Sequence, residues 1–360
     1  MKLSEIPLRR LGTQRVAGPE AAKFPSVSEA VRTLGAVQSQ DYPAAKWAVG
    51  LRVRGCTEAT FDEAFSRGEI LRTHVLRPTW HFVAPDDLRW MLALTAPRVN
   101  ALRAYYNRRQ GLDGPVFARS NAAIAKALQG GNHLTRDELG EVLRKAKIDG
   151  SPERRGNILL GAELEGLVCS GPLRGKVHTY ALVEERAPGL GKPLDRAESL
   201  AELARRFFVS HGPATLKDYA WWSGLAAADA KAGVETATPR LAREVVGGKT
   251  YFFEDRGSSR VRRDGAVHLL PNYDEYAVAY VDREILLEAR HRSKLGARNN
   301  VLFQNLVVRE GRVVGTWRRT LKRSTVSVAT TLFVRFGAAE KRVLAEAIER
   351  YGRFMGRAVG

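Results

Sequence analysis

Two glutamines separated by a single residue, Gln38 and Gln40, are the first side chains in this sequence that we consider for chemistry. A glutamine amide accepts hydrogen bonds through its carbonyl oxygen and donates two through its NH₂ group, but it cannot act as a strong base. Two amides directed at one target could therefore orient a polar group without removing a proton from it. The same spacing also suits two helix-capping or surface glutamines, so the pair alone does not decide between these interpretations.

The residues before the pair predict an amphipathic helix that ends close to it. Ser26 and Glu29 have the spacing of a capping box, and apolar residues follow at helical spacing. Pro43 disfavours helical dihedrals at the residue before it, so we expect the helix to stop near Gln40. Residues two apart on a regular helix point about 200° away from each other, so the helix would have to loosen before both amides could converge.

The charge of the chain favours a polyanionic partner. Its 360 residues carry 58 Lys and Arg against 39 Asp and Glu, a formal net charge of +19. Such an excess is typical of proteins that bind nucleic acid, although a basic proteome or selection for solubility would also produce it. Residues 283–335 hold twelve Lys or Arg and three Glu, which is consistent with a surface for DNA phosphates or with simple solvation.

Cofactor and metal motifs are missing from the sequence. Its two cysteines and seven dispersed histidines do not have the spacing of a metal site or of a disulfide framework. Glycine-rich loops of the dinucleotide or phosphate type are also missing, so we expect neither a metal nor a nucleotide cofactor. No apolar segment has signal-peptide or membrane-spanning length, which, with the basic charge, predicts a cytoplasmic, nucleoid-associated protein without a membrane partner.

Three successive parts of the chain have the pattern of helices followed by a short hairpin. We place these modules at residues 1–115, 116–190 and 191–262 and interpret them as winged-helix modules. Residues 263–360 have a different pattern. Short apolar runs separated by turns predict a small β-barrel, with a helix at the end. The predicted fold is therefore α+β, with three tandem winged-helix (helix-turn-helix plus β-wing) modules before a C-terminal β-barrel.

Four separated motifs add to this general pattern. They are Val37-Gln38-Ser39-Gln40, Leu76-Arg77-Pro78-Thr79-Trp80-His81, Gly212-Pro213-Ala214-Thr215 with Trp221-Trp222-Ser223-Gly224, and Leu269-Leu270-Pro271-Asn272-Tyr273-Asp274-Glu275-Tyr276. Their order, together with the three modules and the barrel, resembles the winged-helix DNA glycosylases of the AlkZ type over nearly the whole chain. Each motif is weak alone, and their order makes the resemblance specific.

The resemblance implies a monofunctional DNA glycosylase that excises alkylated purines, including those in interstrand crosslinks. It assigns the catalytic roles to Gln38 and Gln40, and it implies double-stranded DNA as the partner and no cofactor. The middle position of this motif is usually apolar in that family, and here it is Ser39. No dimerisation domain is evident in the sequence, so we expect a monomer.

An amide pair suits one class of leaving group. Cleavage of an N-glycosidic bond builds positive charge on the sugar, and a neutral base normally needs an acid to leave. A purine alkylated at N7 or N3 is already a cation and leaves readily. The enzyme then has only to hold a water molecule and stabilise the developing cation, which predicts activity on cationic lesions and little on neutral bases such as uracil.

Five residues of the predicted hairpin are candidates for contacts with DNA: Arg72, Arg77, Thr79, Trp80 and His81. The two arginines could bind phosphates. A Trp-His pair in a strand usually packs in a core, and the resemblance adds a DNA-facing role for the histidine.

Other residues of the motifs have mainly structural interpretations. Asp41 could act as a base, but its position favours a helix cap or an ion pair. Trp221 and Trp222 are expected to be buried between modules, and residues 273–276 to form a structural corner rather than a metal site.

Two functions without catalysis are also compatible with the sequence. A regulator or architectural protein could use winged helices to bind DNA, because a fold does not dictate chemistry. An RNA-binding accessory protein could use the basic barrel. Release of a base from DNA distinguishes the enzyme from both.

Overall fold

The computed structural model describes residues 1–189, 194–255, 265–295 and 300–360. After a short helix α1 (Ile6–Thr13), a first unit spans residues 27–83. Its elements in chain order are α2 (Val27–Leu34), β1 (Ala36–Gln38), α3 (Tyr42–Gly50), α4 (Glu58–Arg67), β2 (Leu71–His74) and β3 (Trp80–Val83). The three strands form an antiparallel sheet in the order β1-β3-β2.

A second unit, residues 114–182, repeats this order of elements. It follows the long helix α5 (Pro85–Arg109) and contains α6 (Gly114–Leu128), β4 (Leu134–Thr135), α7 (Arg136–Lys145), α8 (Pro152–Leu164), β5 (Val168–Ser170) and β6 (Thr179–Leu182). Its sheet has the order β4-β6-β5, so the first strand again pairs with the third. A short helix α9 (Val183–Arg186) ends this part of the chain.

A third unit, residues 196–253, has the same arrangement with a minimal first strand. Its elements are α10 (Arg196–His211), α11 (Leu216–Ser223), α12 (Ala227–Ala237), β7 (Ala242–Val246) and β8 (Lys249–Phe253). Ala214 forms an isolated antiparallel bridge with Phe252 of β8. This bridge occupies the place that β1 and β4 have in the other two units.

The C-terminal region, residues 265–360, is built on one five-stranded sheet, antiparallel except for the parallel pairing of its last strand, and on a long helix. Its elements are β9 (Val267–Leu270), α13 (Glu275–Val278), β10 (Leu306–Arg309), β11 (Arg312–Leu321), β12 (Thr325–Leu332), α14 (Ala338–Phe354) and β13 (Ala358–Val359). The sheet order is β13-β12-β11-β10-β9, so β9 and β13 are edges, and the described residues form an open half-barrel rather than the predicted closed barrel. Val301–Phe303 is one of the short apolar runs that predict strands of the barrel, but it forms a turn of 3₁₀ helix.

Two predicted helix ends are wrong. The helix before the glutamine pair begins as expected, with the Ser26 hydroxyl accepting from the Glu29 N–H at 3.2 Å, but it ends at Leu34. Gly35 has φ of +80°, a conformation that glycine adopts at low cost, and the chain then becomes strand β1. Pro97 predicts the end of the helix that begins near Asp86, but helix α5 continues through it, because this residue lies on the exposed side, where water can bind the carbonyl freed by the missing N–H.

The hydrophobic core joins the units. One cluster contains Ala36 and Leu71 of the first unit, Leu164 of the second, Phe207 of the third and Tyr280 of the C-terminal region. A second cluster packs the C-terminal sheet and α14 against α1 and α3. Strand β1 therefore lies where several parts of the chain meet. No helix of the described residues is long and apolar enough to cross a membrane.

Candidate active site

Gln38 and Gln40 lie outside any helix. Gln38 is the last residue of β1 and pairs with His81 of β3, and the Ser39 N–H continues the ladder by donating to the Trp80 carbonyl at 2.7 Å. Gln40 lies in the bend that follows. Ser39 is fully buried and Gln38 nearly so, whereas Gln40 is exposed. The two glutamines therefore flank a buried residue at the point where the strand ends.

The Gln38 side chain is held by Arg77. Gln38 is 7% exposed, and its Oε1 accepts a hydrogen bond from the Arg77 guanidinium at 3.0 Å. Its main-chain N–H donates to the Glu275 carboxylate at 2.8 Å. Both the backbone and the amide of Gln38 are therefore fixed before any ligand binds.

The Gln40 side chain is exposed and contacts the main chain of β3. Its Oε1 accepts from the Trp80 N–H at 3.3 Å. Guanidinium and amide N–H groups only donate, so the partners of both glutamines determine which amide atom faces the protein. In each case the oxygen faces inward, which leaves the NH₂ group and one oxygen lone pair available to a ligand.

Arg72 fixes the residue between the two glutamines. Its guanidinium donates to the Ser39 carbonyl at 3.0 and 3.2 Å and lies 4.3 Å from the centre of the Trp80 ring. Burial lowers the pKa of Arg72, and the nearby Glu163 opposes that effect. Burial likewise lowers the pKa of Arg77. Both predicted phosphate ligands donate to the Gln38–Gln40 segment in this structure.

Thr79 and His81 flank Trp80 at the start of β3. His81 is fully buried, and its Nδ1 lies 2.9 Å from the Thr79 carbonyl. Burial, followed by the positive charge of Arg77, lowers the pKa of His81 to about 3, so the ring is neutral at neutral pH. The predicted DNA-facing role does not fit this position, because the ring lies beneath the surface. Thr79 is half-buried, with a hydroxyl that has no partner.

A family model that describes AlkZ-like DNA glycosylases matches residues 31–354. The chain belongs to the AlkZ-like DNA glycosylase family. A curated relative from Streptomyces sahachiroi, an interstrand DNA cross-link repair glycosylase, is 26% identical in an alignment of 314 residues, and the match covers 81% of this chain and 82% of the relative. The structure of the DNA glycosylase AlkZ from the same organism has the same fold, with a TM-score of 0.81 and 22% identity over 100% of this chain and 99% of that one.

Glu275 is a site residue of this DNA glycosylase that sequence reasoning placed only in a structural corner. Its Oε2 accepts from the Trp222 indole at 3.0 Å and lies 3.3 Å from His211 Nε2, while Oε1 binds the Gln38 N–H. Burial disfavours the charged carboxylate, but the His211 contact and the Gln38 N–H more than offset it and lower the pKa of Glu275. The signal in the sequence was an acidic residue inside a mostly apolar run.

The structure decides the roles of three other motif residues. Asp41 caps α3, as expected: its carboxylate accepts from the Ala44 N–H at 3.2 Å and from the Asn272 side chain at 3.0 Å. Trp222 is buried, as expected, whereas Trp221 is 44% exposed, so its predicted burial is wrong.

Two contacts from the second unit could not be predicted from the sequence. The Ser170 hydroxyl accepts from the Arg72 N–H at 2.8 Å, and the Glu163 carboxylate binds the Trp80 indole at 3.3 Å. Both partners lie more than eighty residues away along the chain. Within the described residues, no group of three or more His, Cys, Asp or Glu is arranged to hold a metal ion.

Proposed function

We propose that this DNA glycosylase hydrolyses the N-glycosidic bond of purines that carry a positive charge from alkylation at N7 or N3, in duplex DNA and as a monomer. Gln38 and Gln40 are the catalytic residues in this proposal. The observation that carries it is the pair of amides on either side of the buried Ser39, each with its oxygen held by the protein and its NH₂ group unpaired. No cofactor takes part.

The reaction needs little from the protein beyond orientation and charge stabilisation. A water oxygen forms a bond to the sugar C1′ while the bond from C1′ to the purine nitrogen breaks. The departing electron pair neutralises the cationic purine, and the proton of the water passes to solvent. The Gln38 and Gln40 oxygens each have a second lone pair that can accept a hydrogen bond from the water, and the oxygen of a water held in this way faces the developing sugar cation.

The fold supports binding to a duplex. Each unit has the order helix, strand, helix, helix, strand, strand, with the first strand paired to the third, and we infer that all three are winged-helix modules. In the C-terminal half-barrel, the turn between β11 and β12 exposes Lys322 and Arg323, and Arg318 is exposed further back along β11. Two cations at the hairpin tip and a third along its strand fit the phosphates of DNA.

Crosslink unhooking is part of the proposal. The relative from Streptomyces sahachiroi is named as an interstrand cross-link repair glycosylase, and it matches most of this chain. A crosslink that joins two purines through N7 leaves a cationic purine on each strand, so the same chemistry applies to it. Treatment of a duplex containing one N7-linked crosslink should release the two strands from each other.

The protein is expected to release N7-methylguanine from a duplex and to leave uracil in place. A cationic purine departs without an acid, whereas neutral uracil needs one, and the amide pair supplies none. The measurement is abasic-site formation, read as strand cleavage after alkali in two duplexes that differ only in the lesion. Efficient uracil release would contradict the mechanism, and tight binding without release of either base would favour a regulator.

Binding to DNA is expected to weaken steeply with salt, with part of this dependence due to the hairpin tip. Arg323→Ala should lower the slope of log K against log salt by about one, equally for damaged and undamaged duplexes, because one phosphate contact is lost. Arg196→Ala is the matched control, since this exposed arginine is on α10 and pairs with Asp229 at 2.9 Å. Equal slopes for the wild type and both variants would show that the hairpin tip does not contact DNA phosphates.

A further inference from the structure

The carboxylate of Glu163 lies behind the catalytic segment, on a helix of the second unit. It is 2% exposed and comes from α8. One oxygen accepts from the Trp80 indole N–H at 3.3 Å, and the other is hydrogen-bonded to His74 Nδ1. Both partners belong to the first unit, one to β3 and one to β2. A buried carboxylate with a partner on each oxygen holds both partners in place, because leaving either oxygen unpaired is costly.

Trp80 connects this carboxylate to the Gln40 side chain and to the backbone of Ser39. Its ring is held between the Arg72 guanidinium, at 4.3 Å, and the His74 ring, at 4.6 Å. Its main-chain N–H donates to Gln40 Oε1, and its carbonyl accepts from the Ser39 N–H. The chain of contacts therefore runs from Glu163 to the Trp80 indole and from the Trp80 backbone to the Gln40 amide.

We propose that Glu163 is a positioning residue for base excision, which acts through Trp80 to set the place of the Gln40 amide. The proposal rests on the function proposed above. It means that the second unit helps to define the catalytic geometry, besides any contact that it makes with DNA. Since a reacting group displaced by about 1 Å can lose about 100-fold in rate, a small movement of Trp80 is enough to matter.

The test compares Glu163→Ala and Glu163→Gln with Glu165→Ala. Glu165 is exposed and two residues further along, where it accepts from the Asn121 side chain at 2.6 Å. Single-turnover and steady-state release of N7-methylguanine give kcat and KM. The Trp80 indole N–H resonance, assigned by its absence in Trp80→Phe, reports on the hydrogen bond itself, and thermal unfolding reports on stability.

Glu163→Ala is expected to lower kcat by up to about 100-fold and to change KM by less than about threefold, with a shifted Trp80 resonance. Glu163→Gln can still accept from the indole through its amide oxygen, and it should recover most of kcat and the wild-type resonance. Glu165→Ala should match the wild type in all three measurements.

Three results would overturn the inference: a folded Glu163→Ala with wild-type kcat, a loss of kcat without a shift of the Trp80 resonance, or an equal loss in Glu165→Ala. If Glu163→Ala does not fold, Glu163→Gln decides, and a shifted resonance with wild-type kcat in that variant would overturn it as well. If the wild-type protein releases no N7-methylguanine, that result would instead contradict the proposed function, on which the inference depends.

Discussion

Replacing either Gln38 or Gln40 by alanine is expected to lower kcat for release of N7-methylguanine by about 100- to 1000-fold, with KM for the duplex nearly unchanged. Each amide is oriented before substrate binds, by Arg77 in one case and by the Trp80 N–H in the other. A preorganised dipole costs no reorganisation during the reaction, so its removal acts on the transition state more than on binding. Single-turnover base release at saturating protein measures the effect.

The double variant should lose little more than the more damaged single variant, because groups that act together on one water molecule are not additive. Gln129→Ala serves as the control, since this exposed glutamine follows α6 and is outside the proposed site. Wild-type kcat in either single glutamine variant, with folding intact, would show that the catalytic assignment of that residue is wrong.

Arg52→Met is expected to lower the free energy of unfolding by about 3 to 5 kcal/mol. The Arg52 guanidinium donates to both oxygens of Asp274, at 2.9 and 2.8 Å, and it also donates to Gln14 and to the Ala48 carbonyl. The arginine is 1% exposed, and the Asp274 side chain has no exposed surface. Removal of the cation leaves a buried carboxylate without its main partner, which is far more costly than the loss of an exposed ion pair.

Urea denaturation of the purified protein measures this difference. Arg32→Ala is the matched control, because Arg32 pairs with Asp86 at 2.8 Å but is 43% exposed, so its loss should cost less than about 1 kcal/mol. A double variant that also replaces Asp274 by leucine should recover part of the loss. If Arg52→Met is no less stable than Arg32→Ala, the buried pair does not stabilise the fold.

The elements that sequence reasoning predicted well have local signals. The sequence predicts a helix from Glu58 to Ser66 closed by Gly68, and another from Thr135 through Lys145. The structure has α4 and α7 there, with Thr57 and Thr135 as N-caps and Gly68 as a left-handed C-cap. The sequence also predicts two strands within residues 70–83 with a turn near Arg77-Pro78, which are β2 and β3. Such signals depend on backbone chemistry that can be read from neighbouring residues.

The element that holds the glutamine pair could not be predicted in the same way. Residues 36–38 pair with residues 81–83, so their strand conformation comes from a partner more than forty residues away. The apolar run before them is equally compatible with one more helical turn, and Gly35 was the only local sign of a break. Clustering of the predicted hairpin residues around the pair follows from this strand pairing. The contacts of Glu163 and Glu275 come from other units, which no local pattern reveals.

The hydrogen bond from the Gln38 N–H to Glu275 also has a consequence for biosynthesis. These residues are separated by 237 positions, which the ribosome adds in roughly 12 to 47 s at about 5 to 20 residues per second. A nascent chain that displays the glutamines therefore lacks the carboxylate that anchors their backbone until translation is well advanced. Under the proposed catalytic assignment, the glutamine pair is therefore fully held only after Glu275 has been synthesised.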